Sequence, residues 1–144
     1  MKELYLYHAT DKKYLNSIMK NGLIINPPFH NWKDMNCSGK IFLAFDARSA
    51  VDYLVCSDNM LPFDDIVLFK INIKDLNPNN IGYDWNVHCE NILDIDSCIY
   101  TNTIPPKYLH VCKNLKKEPF RDLDDFKNTF IYDIIVDTFD KRRR

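Results

Sequence analysis

The sequence predicts an α+β fold with one helix that closes the chain. Three observations favour this fold class. Several short apolar runs alternate with polar residues or are rich in β-branched residues, as strands are. Two longer segments, after Asp46 and after Arg121, instead repeat apolar residues at helical spacing. The length of 144 residues is enough for one domain with its own core, so we expect a single domain over residues 1–144.

Charge and hydropathy exclude several classes of partner. The formal net charge is −1 with both signs mixed, which gives no basic surface for duplex nucleic acid. The basic run Lys141-Arg142-Arg143-Arg144 is terminal, and we interpret it as a solvated tail. No apolar run reaches the length of a membrane span, and the N-terminus lacks the apolar stretch of a signal peptide. We therefore expect no membrane partner and a cytoplasmic location.

The amino-acid composition also indicates the redox state of the cysteines and the kind of genome that encodes the protein. The five cysteines are an odd number without a C-x-x-C pair, so we expect reduced thiols and neither a disulfide framework nor a metal site. Asn, Asp, Ile and Lys are frequent, as in proteins from AT-rich genomes such as those of viruses and phages. For a viral protein, the expected location is the host cytoplasm.

The first predicted strand leads directly into a helix. Its alternation puts Leu4, Leu6 and His8 on one face, and Tyr5, Tyr7 and Ala9 on the other. Asp11 or Thr10 can cap the helix, whose apolar stripe is Leu15, Ile18 and Met19, and Gly22 can end it in a left-handed conformation. This strand end brings His8 and Thr10 to a helix N-terminus, which is a natural place to hold the polar atoms of a ligand.

The next elements are a loop, a strand and a helix. Residues 23–38 are predicted to be a loop because Pro27-Pro28 and several turn-forming residues interrupt regular hydrogen bonding. Trp32 in this loop is either anchored in the core or part of a ligand cleft. Residues 40–45 form a short buried strand, and Asp46 then caps a helix that runs through Cys56. Its inner stripe is Ala47, Ala50, Val51, Leu54 and Val55, with Tyr53 beside it.

Further strands follow at residues 66–73, 97–101 and 108–112, with a loop at 75–80. Residues 82–94 are ambiguous between a surface turn, a strand and a loop. A closing amphipathic helix is predicted at about 120–140, with apolar residues Leu123, Phe126, Phe130, Ile131, Ile134, Ile135 and Phe139. The aromatic stripe of this helix could pack in the core or form a surface for a partner, and we favour packing in the core.

Four short motifs carry a family resemblance. They are Tyr7-His8-Ala9-Thr10, the helix end at Asn21-Gly22-Leu23, the segment Gly39 to Ala44 followed by Ala50 and Tyr53, and Ile104-Pro105-Pro106-Lys107-Tyr108-Leu109. In this order and spacing they resemble the ADP-ribosyltransferase superfamily over about residues 4–112. The last motif is most similar to DarT-like DNA ADP-ribosyltransferases and to RNA 2′-phosphotransferases.

The resemblance implies a fold, a co-substrate and a reaction. The fold would be a split, mainly antiparallel β-sandwich with peripheral helices, holding NAD between its two sheets. The reaction would be transfer of ADP-ribose from NAD to a protein or nucleic-acid acceptor. The phosphotransferases use several arginines to bind phosphate, whereas Arg48 is the only arginine in the matching region, which argues against that activity.

The resemblance also assigns roles residue by residue. His8 would hydrogen-bond the ribose of the nicotinamide nucleoside, with Thr10 beside it, and the backbone of Ala9 would meet the nicotinamide amide. The remaining matches are Phe42 at a central aromatic position, Tyr53 as the ring that stacks on nicotinamide, and Ser49 next to the usual serine position at Ala50. We expect His8, Thr10 and Tyr53 to lie side by side in a cleft, with Trp32 or Phe29 near its rim.

The family's catalytic glutamate is not matched. Counting back eight residues from Pro105 gives Ser97, and the nearest carboxylates are Asp96 and, upstream, Glu90 and Asp94. A negative charge near the anomeric carbon is what the transition state needs. Asp96 or Glu90 is therefore the candidate for this role.

Three functional hypotheses follow. The first is an active transferase that uses His8, with Asp96, Glu90 or a group of the substrate in place of the missing glutamate. The second is a degenerate member of the fold that binds NAD, ADP-ribose or a partner protein without turnover. The third ignores the resemblance and pairs Cys89 with a histidine as nucleophile and base, but adjacent His88 and Cys89 on a strand would point to opposite faces.

Overall fold

The structure of the protein is a computed structural model that describes residues 3–25, 39–55, 62–83 and 91–142. In these ranges the chain forms one sheet, three α-helices and several short 3-10 turns. The strands are β1 (Tyr5–Asp11), β2 (Ile41–Ala44), β3 (Ile66–Asn72), β4 (Ile81–Gly82), β5 (Ser97–Tyr100) and β6 (His110–Val111). The helices are α1 (Leu15–Asn21), α2 (Ala47–Val55) and α3 (Phe130–Arg142).

The sheet is antiparallel throughout, with the strand order β4-β5-β2-β1-β3-β6. β1 lies near its middle and pairs with β3 along its whole length, from Tyr5 opposite Asn72 to Asp11 opposite Ile66. On its other side, β1 pairs with β2 only through Tyr7 and Ala44. The predicted α+β class is confirmed, and the sheet opens between its two central strands.

Each face of the sheet carries its own apolar cluster. The main core contains Leu4 and Leu6 from β1 and its approach, Leu43 from β2, and Ile131 and Ile135 from α3. The opposite face, here called the α2 face, is covered by α2 and contains Tyr7, Ala9, Ala44, Ala47, Ala50, Leu54 and Leu68. The two predicted faces of the first strand are therefore confirmed.

The strand predictions agree with the structure except at the end of β1 and near Tyr108. β2, β3 and β5 fall within the predicted segments, whereas β1 continues past the predicted strand to Asp11. The predicted strand at 108–112 is reduced to His110 and Val111, because Pro106–Tyr108 forms a 3-10 turn after Pro105. The two-residue strand β4 overlaps the ambiguous segment only at Gly82, and it pairs with β5 at the edge of the sheet.

Two helix predictions need correction at their ends. Asp11 caps a 3-10 turn at Lys12–Tyr14, accepting a hydrogen bond from the Lys13 backbone, and α1 follows only at Leu15. Met19, predicted in the inner stripe, is 43% exposed. Val55 of α2 is likewise 40% exposed, because the last residue of α2 has turned away from the sheet.

The closing helix begins later than predicted. Leu123–Phe126 forms a separate 3-10 turn, in which the Asp122 backbone donates to Asp125. Asn128 has a φ of 69°, which breaks the helical path before α3 starts at Phe130. The core interpretation is confirmed, because Leu123, Phe126, Ile131, Ile135 and Phe139 are all buried in the main core.

Several predictions concern residues outside the described ranges. These residues are Phe29 and Trp32 in the long loop, His88, Cys89 and Glu90, and the last two arginines of the basic tail. Within the described ranges, none of the helices is both long enough and apolar enough to cross a membrane.

Candidate functional site

The candidate site is built around the opening between β1 and β2. In the register set by Tyr7 and Ala44, Ala9 would stand opposite Phe42, but the strands no longer pair there. Instead, Nδ1 of the His8 ring lies 2.8 Å from the Phe42 carbonyl oxygen. The Phe42 carbonyl therefore bonds to a side chain where a paired strand would offer a backbone N–H. This bond holds the His8 ring next to the point where β1 and β2 stop pairing.

The backbone of Ala9 faces β2 beyond the last paired residue, although Ala9 itself is buried, with 7% exposure. Alternate residues of a strand turn their N–H and C=O groups to opposite neighbours. The Leu4 carbonyl accepts from Ile73 on the β3 side, so Leu6, His8 and Thr10 also face β3, whereas Tyr7 and Ala9 face β2. The recorded pairing of β1 with β2 includes only Tyr7 and Ala44, so the backbone polar groups of Ala9 face β2 beyond the paired residues.

The protonation state of His8 follows from its surroundings. Burial lowers the pKa of His8, and the bond to the Phe42 carbonyl opposes this only in part. A carbonyl oxygen can only accept, so the neutral ring carries its proton on Nδ1, and Nε2 presents a lone pair. His8 is therefore placed to accept a hydrogen bond from a hydroxyl group of a ligand.

On the α2 face, a cap positions a second group of side chains. Asp46 follows β2 and is buried, and its Oδ1 accepts from the Ser49 backbone at 2.8 Å, which starts α2. Ser49 is thus in the first turn of α2, half-buried, and Tyr53 lies one turn further along and packs against the cluster that contains Ala9. The cap therefore sets where the Tyr53 ring meets the sheet.

Tyr53 is joined to the residues that precede and begin β5. Its hydroxyl donates to Oδ1 of Asp96 at 2.5 Å, a length typical of bonds to a carboxylate. Ser97 Oγ donates to the same hydroxyl at 3.4 Å. The backbone of Asp96 is held as well, because its carbonyl accepts from Phe45 at 2.8 Å and extends the pairing of β2 with β5.

The structure divides the predicted site residues between the two faces of β1. Ala9, Phe42 and Tyr53 belong to the α2 face, since the Phe42 side chain alternates with those of Ile41 and Leu43 in the main core. His8 and Thr10 alternate with Ala9 along β1, so their side chains leave the strand on the opposite face of the sheet. Thr10 is buried, with 4% exposure. His8 and Tyr53 thus flank the opening from different faces, whereas the sequence predicts them side by side.

Sequence reasoning missed two features of this site. The bond from Tyr53 to Asp96 joins residues 43 positions apart, and no local pattern signals it. The position of the Ala9 backbone beyond the paired residues depends on where β2 stops pairing, which the sequence of β1 does not encode. The sequence contains a partial signal for the role of Asp96, because this carboxylate directly precedes a predicted strand.

Cysteine and metal chemistry gain no support within the described ranges. Cys98 is buried, and burial with the nearby Glu118 carboxylate raises the pKa of Cys112 to about 11, so this thiol stays protonated at neutral pH. No cluster of three or more His, Cys, Asp or Glu side chains suited to a metal ion occurs among the described residues.

Comparison with known proteins adds no assignment, because the sequence matches no model of a protein family and no curated protein.

Proposed function

We propose that this protein is an NAD-dependent ADP-ribosyltransferase acting on a protein or nucleic-acid acceptor. One observation carries the proposal: the pairing of β1 with β2 is recorded only at Tyr7 and Ala44, so the backbone N–H and C=O of Ala9 face β2 beyond the paired residues. This is where the resemblance expects the amide of nicotinamide. The same opening in the middle of the sheet supports the finer proposal of a split fold with two sheets around the co-substrate.

The chemistry of the opening fits a nicotinamide group. A primary carboxamide has one acceptor oxygen and two donor hydrogens, so it can bond to the N–H and the C=O of one residue at once. Phe42 provides an aromatic ring on the same face as Ala9, because its side chain alternates with those of Ile41 and Leu43 in the main core. A planar cationic ring is favourable against such faces.

Two polar groups suit the ribose and the reaction centre. His8 Nε2 can accept a hydrogen bond from a ribose hydroxyl, and the Asp96 carboxylate supplies negative charge. In the reaction, the bond from the ribose carbon to the nicotinamide nitrogen breaks, and its electron pair leaves with nicotinamide. An acceptor nucleophile forms the new bond at that carbon and loses a proton. A carboxylate stabilises the positive charge that develops between these events.

The second candidate function is binding of NAD or ADP-ribose, or of a partner protein, without turnover. It is favoured by Ser97, which occupies the position of the family's glutamate, is 3% exposed and bonds to Tyr53. In this case the opening at Ala9 still accepts the nicotinamide amide, but no carboxylate reaches the ribose carbon.

Release of nicotinamide from NAD tests the first proposal. We expect the protein to release nicotinamide during incubation with NAD and cell extract, and mass spectrometry to find a mass gain of one ADP-ribose on the acceptor. His8→Ala removes the hydroxyl acceptor and should slow release at least about tenfold, the effect of losing one good hydrogen bond. His110→Ala, an exposed histidine on the edge strand β6, is the matched control and should keep full activity.

Amide exchange separates a binder from an enzyme. The Ala9 amide should exchange faster than that of Thr10, whose residue pairs with Val67 on β3, and it should become protected when NAD is added. Protection without nicotinamide release would favour the binder. Neither protection nor release would contradict both functions, and loss of activity in Cys89→Ser would instead favour the thiol hypothesis.

A further inference from the structure

We propose that Tyr53 is a positioning residue, whose hydroxyl aligns the Asp96 carboxylate for the reaction, and that it does not act as a ring stacked on nicotinamide. This inference rests on the proposed transferase function. It assigns the carboxylate role to Asp96, one residue before the position where the resemblance expects it. The alternative role for Tyr53 is stacking on nicotinamide. Stacking depends on the aromatic ring alone and gives the hydroxyl group no function.

The geometry around Asp96 supports this role. The Tyr53 hydroxyl donates to Oδ1 at 2.5 Å, whereas no hydrogen bond joins Oδ2 to a described residue. One carboxylate oxygen is therefore held and the other is available to a substrate. Asp96 is half-buried, so a ligand can reach it.

Both ends of the hydrogen bond are anchored. The Asp96 backbone is tied to β2 through Phe45, and Tyr53 is carried by α2, whose start is fixed by the Asp46 cap. Ser97 adds a weaker donor to the Tyr53 oxygen at 3.4 Å, so the lone pairs of that oxygen are partly engaged and its own proton is directed to Asp96. An aspartate side chain has two free torsions, and the bond from Tyr53 restricts both.

A fixed carboxylate matters because the charge it stabilises exists only in the transition state. Groups already held in position need no reorganisation when that charge develops. Loss of the Tyr53 hydroxyl should therefore lower kcat for nicotinamide release and leave the KM for NAD nearly unchanged. If the ring acted only by stacking, Tyr53→Phe should leave both kcat and KM nearly unchanged, because phenylalanine stacks as well as tyrosine does.

The test is a double-mutant cycle on nicotinamide release with Tyr53→Phe and Asp96→Asn. We expect Tyr53→Phe to lower kcat about tenfold with KM changed less than about twofold, and Asp96→Asn to lower kcat about 100-fold. In the Asp96→Asn background, Tyr53→Phe should have no further effect, because the hydroxyl acts through the carboxylate. Tyr132→Phe, a half-buried tyrosine of α3 packed on the main core, is the matched control and should retain wild-type kinetics.

The outcomes are distinct. Wild-type kcat in Tyr53→Phe, a raised KM with unchanged kcat, or an equal tenfold loss in both backgrounds would each overturn the positioning role while the transferase function stands. A wild-type protein that releases no nicotinamide and shows no protection of Ala9 overturns the proposed function, and this inference with it. A lower melting temperature of Tyr53→Phe without coupling to Asp96 would show a structural role only.

Discussion

Single residues in this protein have environments that set their chemistry, and His8 is the clearest case. Its ring is half-buried, and its one described hydrogen bond leads to a backbone carbonyl, so the neutral form is favoured. A neutral histidine with a fixed tautomer is a hydrogen-bond acceptor of defined direction. This is a different role from general acid catalysis, which would need the protonated ring.

The lowered pKa of His8 predicts how stability depends on pH. The unfolded chain binds this proton with a pKa near 6.5, but the folded chain binds it only at lower pH. The free energy of unfolding should therefore keep the His8 contribution above about pH 6.5 and lose it as the pH falls, by up to about 1.4 kcal/mol per pH unit. Urea unfolding of the wild type and of His8→Gln from pH 7.5 to 5 measures the difference. Parallel curves for the two proteins would contradict the prediction.

Glu118 is a second residue whose environment is specific. It accepts a hydrogen bond from the Tyr7 hydroxyl at 2.8 Å and lies 3.6 Å from Lys70. Burial and Glu118 together raise the pKa of Tyr7, so this tyrosine remains a hydroxyl donor over the whole working pH range. Glu118→Ala leaves that buried donor without its partner.

We expect Glu118→Ala to lower the free energy of unfolding by about 1–3 kcal/mol, the desolvation penalty of an unsatisfied polar group. Glu3→Ala is the matched control, because Glu3 also accepts from a tyrosine, Tyr5, at 2.8 Å, but in an exposed position. Its loss should change stability by less than about 0.5 kcal/mol. Equal losses in denaturant titrations of the two variants would mean that burial of the bond does not matter.

At the scale of elements, the contact between the end of α1 and the closing motif depends on a glycine. Gly22 has a φ of 86°, and a Cβ atom there would lie 2.2 Å from the carbonyl oxygen of Ile104. The neighbouring residues Leu23 and Ile104 exchange two backbone hydrogen bonds of 2.9 Å. A side chain at residue 22 would have to break this bridge.

We therefore expect Gly22→Ala to lower the free energy of unfolding by at least about 3 kcal/mol, through both clash and strain. Gly39 has a similar φ of 75°, but a Cβ atom there meets nothing within 4 Å. Gly39→Ala should cost only the strain of a left-handed residue, about 1–2 kcal/mol. Thermal unfolding of both variants separates the two effects, and a loss no larger in Gly22→Ala would contradict the role of the close contact.

At the scale of the whole molecule, the chain after residue 112 completes the main core. Leu123, Phe126, Ile131, Ile135 and Phe139 lie in the same cluster as Leu4 and Leu6. The Phe126 ring also packs against Phe45, with ring centroids 5.0 Å apart. The closing segment therefore packs against the sheet that carries the candidate site, and we expect the stability of that sheet to depend on it.

Ile135→Ala tests this dependence. Ile135 is fully buried, so we expect the loss of its side chain to lower the free energy of unfolding by about 2–5 kcal/mol. Lys141→Ala in the same helix removes only an exposed ion pair with Asp137 and should change stability by less than about 0.5 kcal/mol. A stable protein with Ile135→Ala would show that α3 is an appendage and not part of the core.

The sequence by itself determined most of the local structure of this protein. The period-two alternation of β1 and the caps at Asp11 and Asp46 depend on neighbouring residues, so they are readable from the chain. The burial of the closing segment was also readable, from its apolar periodicity. The ends of elements were less readable: the positive φ of Asn128 comes before the start of α3, and the 3-10 turn after Pro105 shortens β6.

The tertiary structure alone decided how the site is arranged. The point at which β1 and β2 stop pairing, and the contact of His8 with the Phe42 carbonyl, depend on contacts between distant segments. The same is true of the bond between Tyr53 and Asp96, which forms because α2 packs over the sheet and not because of any local pattern. Local sequence sets the conformation of each element, but only packing sets the distances between elements, and the chemistry of the site depends on those distances.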